Sequence, residues 1–230
     1  MQKDKEVAGI LLDIGAVKVS VNPPFTWTSG IKSPIYCDNR KLISHPKARE
    51  LVVKAFAKLV IASEAKQSGA KAPSRASGEG SARFEFIGGT ATAAIPWAAF
   101  LAYELGLPMV YIRPEKKEHG AGRQVEGDLP RGKRVLIVED LISTGGSSIA
   151  AAEAVKKECG GVVTDIFAIM TYELDESKKK FAAAGLQLKT LTNFTALANL
   201  ALERGVITEK EFLKILEFKK DPRAWAEKAL

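Results

Sequence analysis

Apolar residues recur three or four apart at Val7, Ile10, Leu11 and Ile14, and this spacing predicts an amphipathic helix over residues 6–16. Asn22-Pro23-Pro24 and Ser29-Gly30 then break the chain, and Phe25, Trp27, Ile35 and Tyr36 between and after them predict short extended pieces. A second helix is expected to open at Pro46, with Leu51, Val52, Ala55, Phe56 and Leu59 on its inner face. From 62 to 83 the pattern lapses into Ala, Ser, Gly and Lys, which predicts a flexible inserted loop. Strand and helix then alternate, with strands expected over 84–87, 108–112, 134–138 and 162–170 and helices over 90–105 and 147–159. The charged, Gly-bearing stretch 114–130 reads as a long mobile loop. The end of the chain is helical: one helix over Phe194–Glu203, a capping box at Thr208 and Glu211, and a last short helix from Asp221-Pro222. The sum is an α/β protein, a single domain over 1–230 with a mostly parallel sheet covered on both faces and a helical segment from 194 to 230.

Composition narrows the class. A hydrophobic fraction of 46% suits a folded globular chain. Cys37 and Cys159 are the only cysteines, too few for a disulfide framework and without zinc-ligand spacing, which fits a reduced compartment. No apolar run reaches the length of a membrane span, and the charged start leads into an amphipathic segment, so a soluble, cytoplasmic protein with no membrane partner is expected. The net charge of +7 would serve nucleic acid or a polyanionic small molecule equally well.

The chemistry concentrates in Val135-Leu136-Ile137-Val138-Glu139-Asp140-Leu141-Ile142-Ser143-Thr144-Gly145-Gly146-Ser147-Ser148. A buried strand runs into two adjacent carboxylates, followed by a small, hydroxyl-rich turn that opens a helix. Small residues let main-chain N–H groups close on a phosphate, the helix N-terminus adds partial positive charge, and Ser143, Thr144 and Ser147 add hydroxyl donors. Glu139 and Asp140 lie where open α/β sheets bind ligands and can accept hydrogen bonds from vicinal sugar hydroxyls. Phosphate donors beside sugar-hydroxyl acceptors describe a ribose 5-phosphate. The turn has no Lys, so it is not a P-loop, and the chain has no GxGxxG dinucleotide fingerprint.

This stretch resembles the phosphoribosyl-diphosphate (PRPP) motif of the type I phosphoribosyltransferases. Two further segments resemble the orotate branch of that family: Phe25-Thr26-Trp27-Thr28-Ser29-Gly30-Ile31-Lys32-Ser33-Pro34-Ile35-Tyr36-Cys37-Asp38-Asn39-Arg40 and Tyr111-Ile112-Arg113-Pro114-Glu115-Lys116-Lys117-Glu118-His119-Gly120. The first is similar to a small N-terminal base-binding hood, and by that match Ser33, Tyr36 and Cys37 lie beside orotate, where the resemblance also implies Ser143. The second is similar to a strand end and catalytic loop, which makes Arg113, Lys117 and His119 pyrophosphate-binding residues.

The resemblance implies that Glu139 and Asp140 bind the ribose, that Leu141, Ile142, Ser143, Thr144, Gly145, Gly146 and Ser147 bind the rest of PRPP, and that Lys117, His119 and Asp140 are catalytic. It implies Mg²⁺ held mainly through PRPP without protein ligands of its own, orotate and PRPP as substrates, no nucleic acid partner, and a homodimer in which loop 114–130 completes the neighbouring active site. The reaction implied is orotate plus PRPP to orotidine 5′-phosphate plus diphosphate, in pyrimidine biosynthesis. A phosphoribosyltransferase for another base, or a PRPP-sensing nucleic-acid-binding regulator, remains open at this point. The chain departs from the family pattern near Ala93, where one branch carries a Lys, and at Pro114, often a Lys; Lys18 lies near a family substrate-contacting lysine in a loop of different length.

Overall fold

The structure, a computed structural model, describes residues 2–27, 30–68, 83–115 and 122–228. The chain begins with helix α1 (Gln2–Asp13) and enters a small antiparallel hood of β1 (Val17–Val19), β2 (Phe25–Thr26), β3 (Lys32–Ser33) and β4 (Ile35–Cys37), in which β1 pairs with β4 and β2 with β3. A 3-10 helix, Asn39–Ser44, follows, and then α2 (Pro46–Ser68). The main sheet is built from β5 (Phe86–Thr90), β6 (Met109–Ile112), β7 (Val125–Glu126), β8 (Val135–Ile142), β9 (Asp165–Thr171) and β10 (Gln187–Asn193). Its order is β10-β9-β8-β5-β6-β7, parallel except for β7, which runs against β6 at the edge. Helices α3 (Ile95–Leu105), α4 (Gly146–Cys159), α5 (Asp175–Ala183) and α6 (Phe194–Glu203) connect or follow these strands, and α7 (Glu209–Lys220) and α8 (Pro222–Lys228) finish the chain.

Alternation along β8 assigns the two faces of the sheet. Leu136 and Val138 turn toward α1, α2, α3 and α6, where Leu11, Phe56, Trp97 and Phe194 are fully buried. Val135 and Ile137 turn the other way, onto Ala152 and Val155 of α4 and Phe181 of α5. Each such buried side chain contributes roughly 1.5–3 kcal/mol relative to exposure, so both faces hold the sheet in register. Gly89 makes one close approach possible, because a Cβ there would stand 2.7 Å from the Cβ of Ala98 on α3.

Several elements differ from the sequence-based expectation. Residues 62–68 are not loop but the last turns of α2, with Ser63 and Glu64 buried; alanines there favour helix without any apolar stripe. At the other end of that segment, the Nη2 of Arg83 lies 2.8 and 2.7 Å from the two carboxylate oxygens of the buried Asp165. Residues 69–82 lie outside the described residues. The helix expected from residue 90 starts at Ile95, because β5 runs on through Thr90 and a turn follows it. Strand β8 continues past both acids to Ile142. Helix α5, strand β10 and the short edge strand β7, inside the expected loop 114–130, were not foreseen.

Candidate active site

The carboxyl ends of β5, β6, β8 and β9 form one edge. Gly89 of β5 pairs with Val138 of β8, Thr90 of β5 with Ile112 of β6, and Ile142 of β8 with Thr171 of β9, which brings Glu139, Asp140 and Arg113 to the same side of the molecule. Glu139 and Asp140 are consecutive on β8, and their carboxyl groups share a hydrogen bond. Glu139 points to α4: one carboxylate oxygen accepts from Ser148 Oγ at 3.0 Å and Ser147 Oγ at 3.4 Å, and the other accepts the Asp140 main-chain N–H at 3.0 Å. It is 6% exposed, and burial, with the Asp140 charge next, pushes its pKa up to about 8. Asp140 faces the hood and is only half-buried by its surroundings; desolvation raises its pKa too, while hydrogen bonds from Glu139 and the Leu141 N–H and the nearby Arg40 charge act against the rise.

The turn after β8 has the form expected of an anion cradle. Gly145 sits at φ 81° as the residue before α4, and no side chain caps that helix's first turn. The Phe181 ring of α5 lies against Gly145 so closely that a Cβ there would fall 2.6 Å from Cε2. Thr144, Gly146 and Ser147 keep partial or full exposure, so the first main-chain amides of α4 open to the edge. Leu141 is half-buried and Ile142 fully buried.

The hood stands over the Asp140 side. Tyr36 is exposed, packs on Phe25 with ring centroids 5.8 Å apart, and pairs in register with Lys18, so both side chains share the outer face of that small sheet. Cys37 is buried; its Sγ–H donates to Asn39 Oδ1 at 3.2 Å, and burial followed by the Asp140 and Asp38 charges pushes the thiol far above its ordinary range. Ser33 is buried with its hydroxyl donating to the Ile35 carbonyl at 2.7 Å, which commits that side chain to the turn of the hood. Tyr172, at the end of β9, packs on Trp27 at 4.5 Å, and its hydroxyl bonds to the Cys37 main chain.

Arg113 follows β6, is half-buried, and has its guanidinium 3.6 Å from Glu126 of β7. Lys117 and His119 lie outside the described residues. Four residues that stand at the edge escaped selection from sequence: Asn39, Arg40, Tyr172 and Phe181. Arg40 carried the one available signal, a cation directly after the hood, and here it pairs with Asp38 at 2.6 Å beside Asp140. Asn39, beside it in the same 3-10 helix, reaches Asp140 across 101 positions, and Tyr172 and Phe181 come from the end of β9 and from α5.

Comparison with known proteins agrees with this geometry. Residues 64–173 match the family model described as "Phosphoribosyl transferase domain". The chain is 44% identical to orotate phosphoribosyltransferase of Listeria innocua, over 98% of this chain and 99% of that one. It is 46% identical to the Enterococcus faecalis protein of the same name, over 96% and 97%. Among solved structures it is similar to orotate phosphoribosyltransferase from Aeropyrum pernix, with TM-score 0.67 and 28% identity over 88% of this chain and 99% of that one. It is also similar to Leishmania donovani UMP synthase, with TM-score 0.71 and 27% identity over 94% of this chain but 42% of that longer one. With such identity along nearly the full length of its relatives, and with the acid pair, the Gly145 turn and the hood assembled on one sheet edge, the chain belongs to the orotate phosphoribosyltransferase family.

Proposed function

We propose that this protein is a pentosyltransferase that converts orotate and PRPP to orotidine 5′-phosphate and diphosphate, a step toward UMP. The observation that carries the reading is the edge itself: the two acids of β8, an uncapped helix start after a Gly145 turn, and an aromatic-bearing hood on the Asp140 side. The 5-phosphate of PRPP binds the main-chain amides and hydroxyls of Ser143, Thr144, Gly145, Gly146 and Ser147. Asp140 accepts a ribose hydroxyl, and Glu139 holds the first turn of α4 through Ser147 and Ser148 while its carboxylate borders the sugar. Orotate lies under the hood beside Tyr36 and the main chain of Ser33 and Cys37.

A ring nitrogen of orotate forms a bond to ribose C1 as the bond from C1 to the diphosphate oxygen breaks, its electron pair leaving with diphosphate. Negative charge gathers on that group, and Arg113, Lys117 and His119 stabilise it and exclude water. Mg²⁺ fits this donor set as a passenger on PRPP. The edge offers hard carboxylate oxygens, yet no cluster of three metal-ligating side chains occurs among the described residues. Asp140 and Glu139 would reach the ion through the ribose hydroxyls and its waters, and when bound it neutralises part of the diphosphate charge. In the assembled protein, two chains share their sites through loop 114–130.

Loss of orotate absorbance on adding PRPP and Mg²⁺ tests the reading directly. Turnover of another base but not orotate would place the protein in a sibling branch, and tight sequence-specific nucleic acid binding without turnover would make it a regulator. Lys117→Ala is expected to depress kcat far more than PRPP binding, and an unchanged rate removes the loop from the chemistry.

A further inference from the structure

Base and sugar are presented by different parts of the chain. The hood has its own two-stranded sheets and shares no strand ladder with the central sheet among the described residues. At the reacting edge the Tyr172 hydroxyl reaches the Cys37 main chain from β9, and one further side chain ties the hood to strand β8. Asn39 begins the 3-10 helix directly after the hood and is 1% exposed. Its Nδ2 donates to the main-chain carbonyl of Asp140 at 2.6 Å, and its Oδ1 accepts from Cys37 Sγ at 3.2 Å. A thiol donor on one side and a carbonyl acceptor on the other fix which way the amide lies.

The register explains why a donor is needed there. Strand β5 pairs with β8 only as far as Gly89 and Val138, and the Thr90 hydroxyl then donates to the Val138 carbonyl at 3.3 Å. Carbonyls two residues apart on a strand point the same way, so that of Asp140 faces the side from which β5 has already turned off. A buried carbonyl without a donor is costly, and the amide of Asn39 takes the place that the next ladder hydrogen bond would fill.

We propose that Asn39 is a positioning residue: by extending the β8 ladder into the hood it sets the height of the base over the ribose, so that the attacking nitrogen lies in line with C1. This rests on the reaction proposed above. Asn39 touches neither substrate; it acts through Asp140 on one side and the Cys37 strand on the other. In-line displacement is sensitive to such placement, because reacting atoms must approach to about 3–3.5 Å and a misplacement of about 1 Å costs on the order of 100-fold.

The test is Asn39→Leu, similar in size but unable to donate or accept, compared with wild type in steady-state turnover and in PRPP binding by calorimetry without orotate. The expected result is a ~10- to 100-fold fall in kcat, with the affinity for PRPP alone within ~3-fold of wild type. Wild-type kcat in the folded variant overturns the proposal, as does an equal loss of PRPP binding and turnover, which marks a merely structural residue. Asn39→Asp keeps the size and the acceptor for Cys37 while losing the amide donor, and is expected to lose kcat in the same way should the Leu variant not fold. If neither variant folds, Asn39 is a folding determinant and the positioning role is rejected. Should wild type itself fail to consume orotate, the reaction has been misread, which is a different outcome from a variant that behaves as wild type.

Discussion

A single added methyl group is enough to test whether the Gly145 turn holds a phosphate. Gly145 has φ 81°, where an L side chain is strained, and an alanine Cβ would lie 2.6 Å from Phe181 Cε2. Gly145→Ala is therefore expected to cost about 1–3 kcal/mol of stability and to raise the KM for PRPP more than that for orotate; urea unfolding and initial rates measure the two. An unchanged KM for PRPP would mean the turn does not hold the donor. Glu139 gives a second test through pH. Its folded pKa, about 8, stands above the ordinary 4.5, so the stability linked to its protonation is fully present below about pH 4.5 and is lost as pH rises through about 8. Asp140 shifts in the same direction. Wild type is thus expected to lose unfolding free energy between about pH 5 and about pH 9 relative to Glu139→Gln, and parallel curves for the two proteins would contradict the buried, proton-binding state.

At the scale of elements, what was legible in sequence is what lies together in sequence. Strand, acids, turn and helix from Val135 to Cys159 form one continuous run, so their chemistry could be read directly, although the strand extends beyond the acids to Ile142. The contact of Asn39 with Asp140 spans 101 positions, and nothing local announces it. Helix α5 carries Lys178, Lys179 and Lys180 outward, and strand β10 interleaves polar residues at an edge, so neither has the apolar signature of a buried element. Residues 62–68 are helical where the composition suggests a loop, because an Ala-bearing turn needs no apolar face to remain helical once the preceding turns are packed. The far end of that segment supplies its own prediction. Asp165 has no exposed side-chain area, and Arg83 bonds both of its oxygens while the Thr164 hydroxyl at 2.7 Å and Lys189 Nζ at 4.0 Å stay in place, so Arg83→Met is expected to cost about 1.5–3 kcal/mol, with much of it recovered in Arg83→Met/Asp165→Leu. Denaturant midpoints of wild type and the two variants decide this, and a neutral single variant would show the pair to be dispensable.

At the scale of the whole molecule, the proposed sharing of sites between two chains can be examined by mixing. Lys117→Ala and Asp140→Asn are each expected to be nearly inactive alone. If the loop of one chain serves the other's acids, random heterodimers regenerate one intact site in each mixed pair, and about a quarter of wild-type activity returns. A loop that serves its own chain returns none.

The Arg83 clamp has one more implication. It joins the end of β5 that is remote from the substrates to the first residue of β9, and Arg83 Nη1 also donates to the Ser63 carbonyl at 3.3 Å. Five residues of β5 separate it from the reacting edge, about 16 Å of extended chain. A fluorescent reporter or an immobilisation tag spliced between positions 68 and 83 would be carried on the reverse side of the enzyme, leaving substrate entry open.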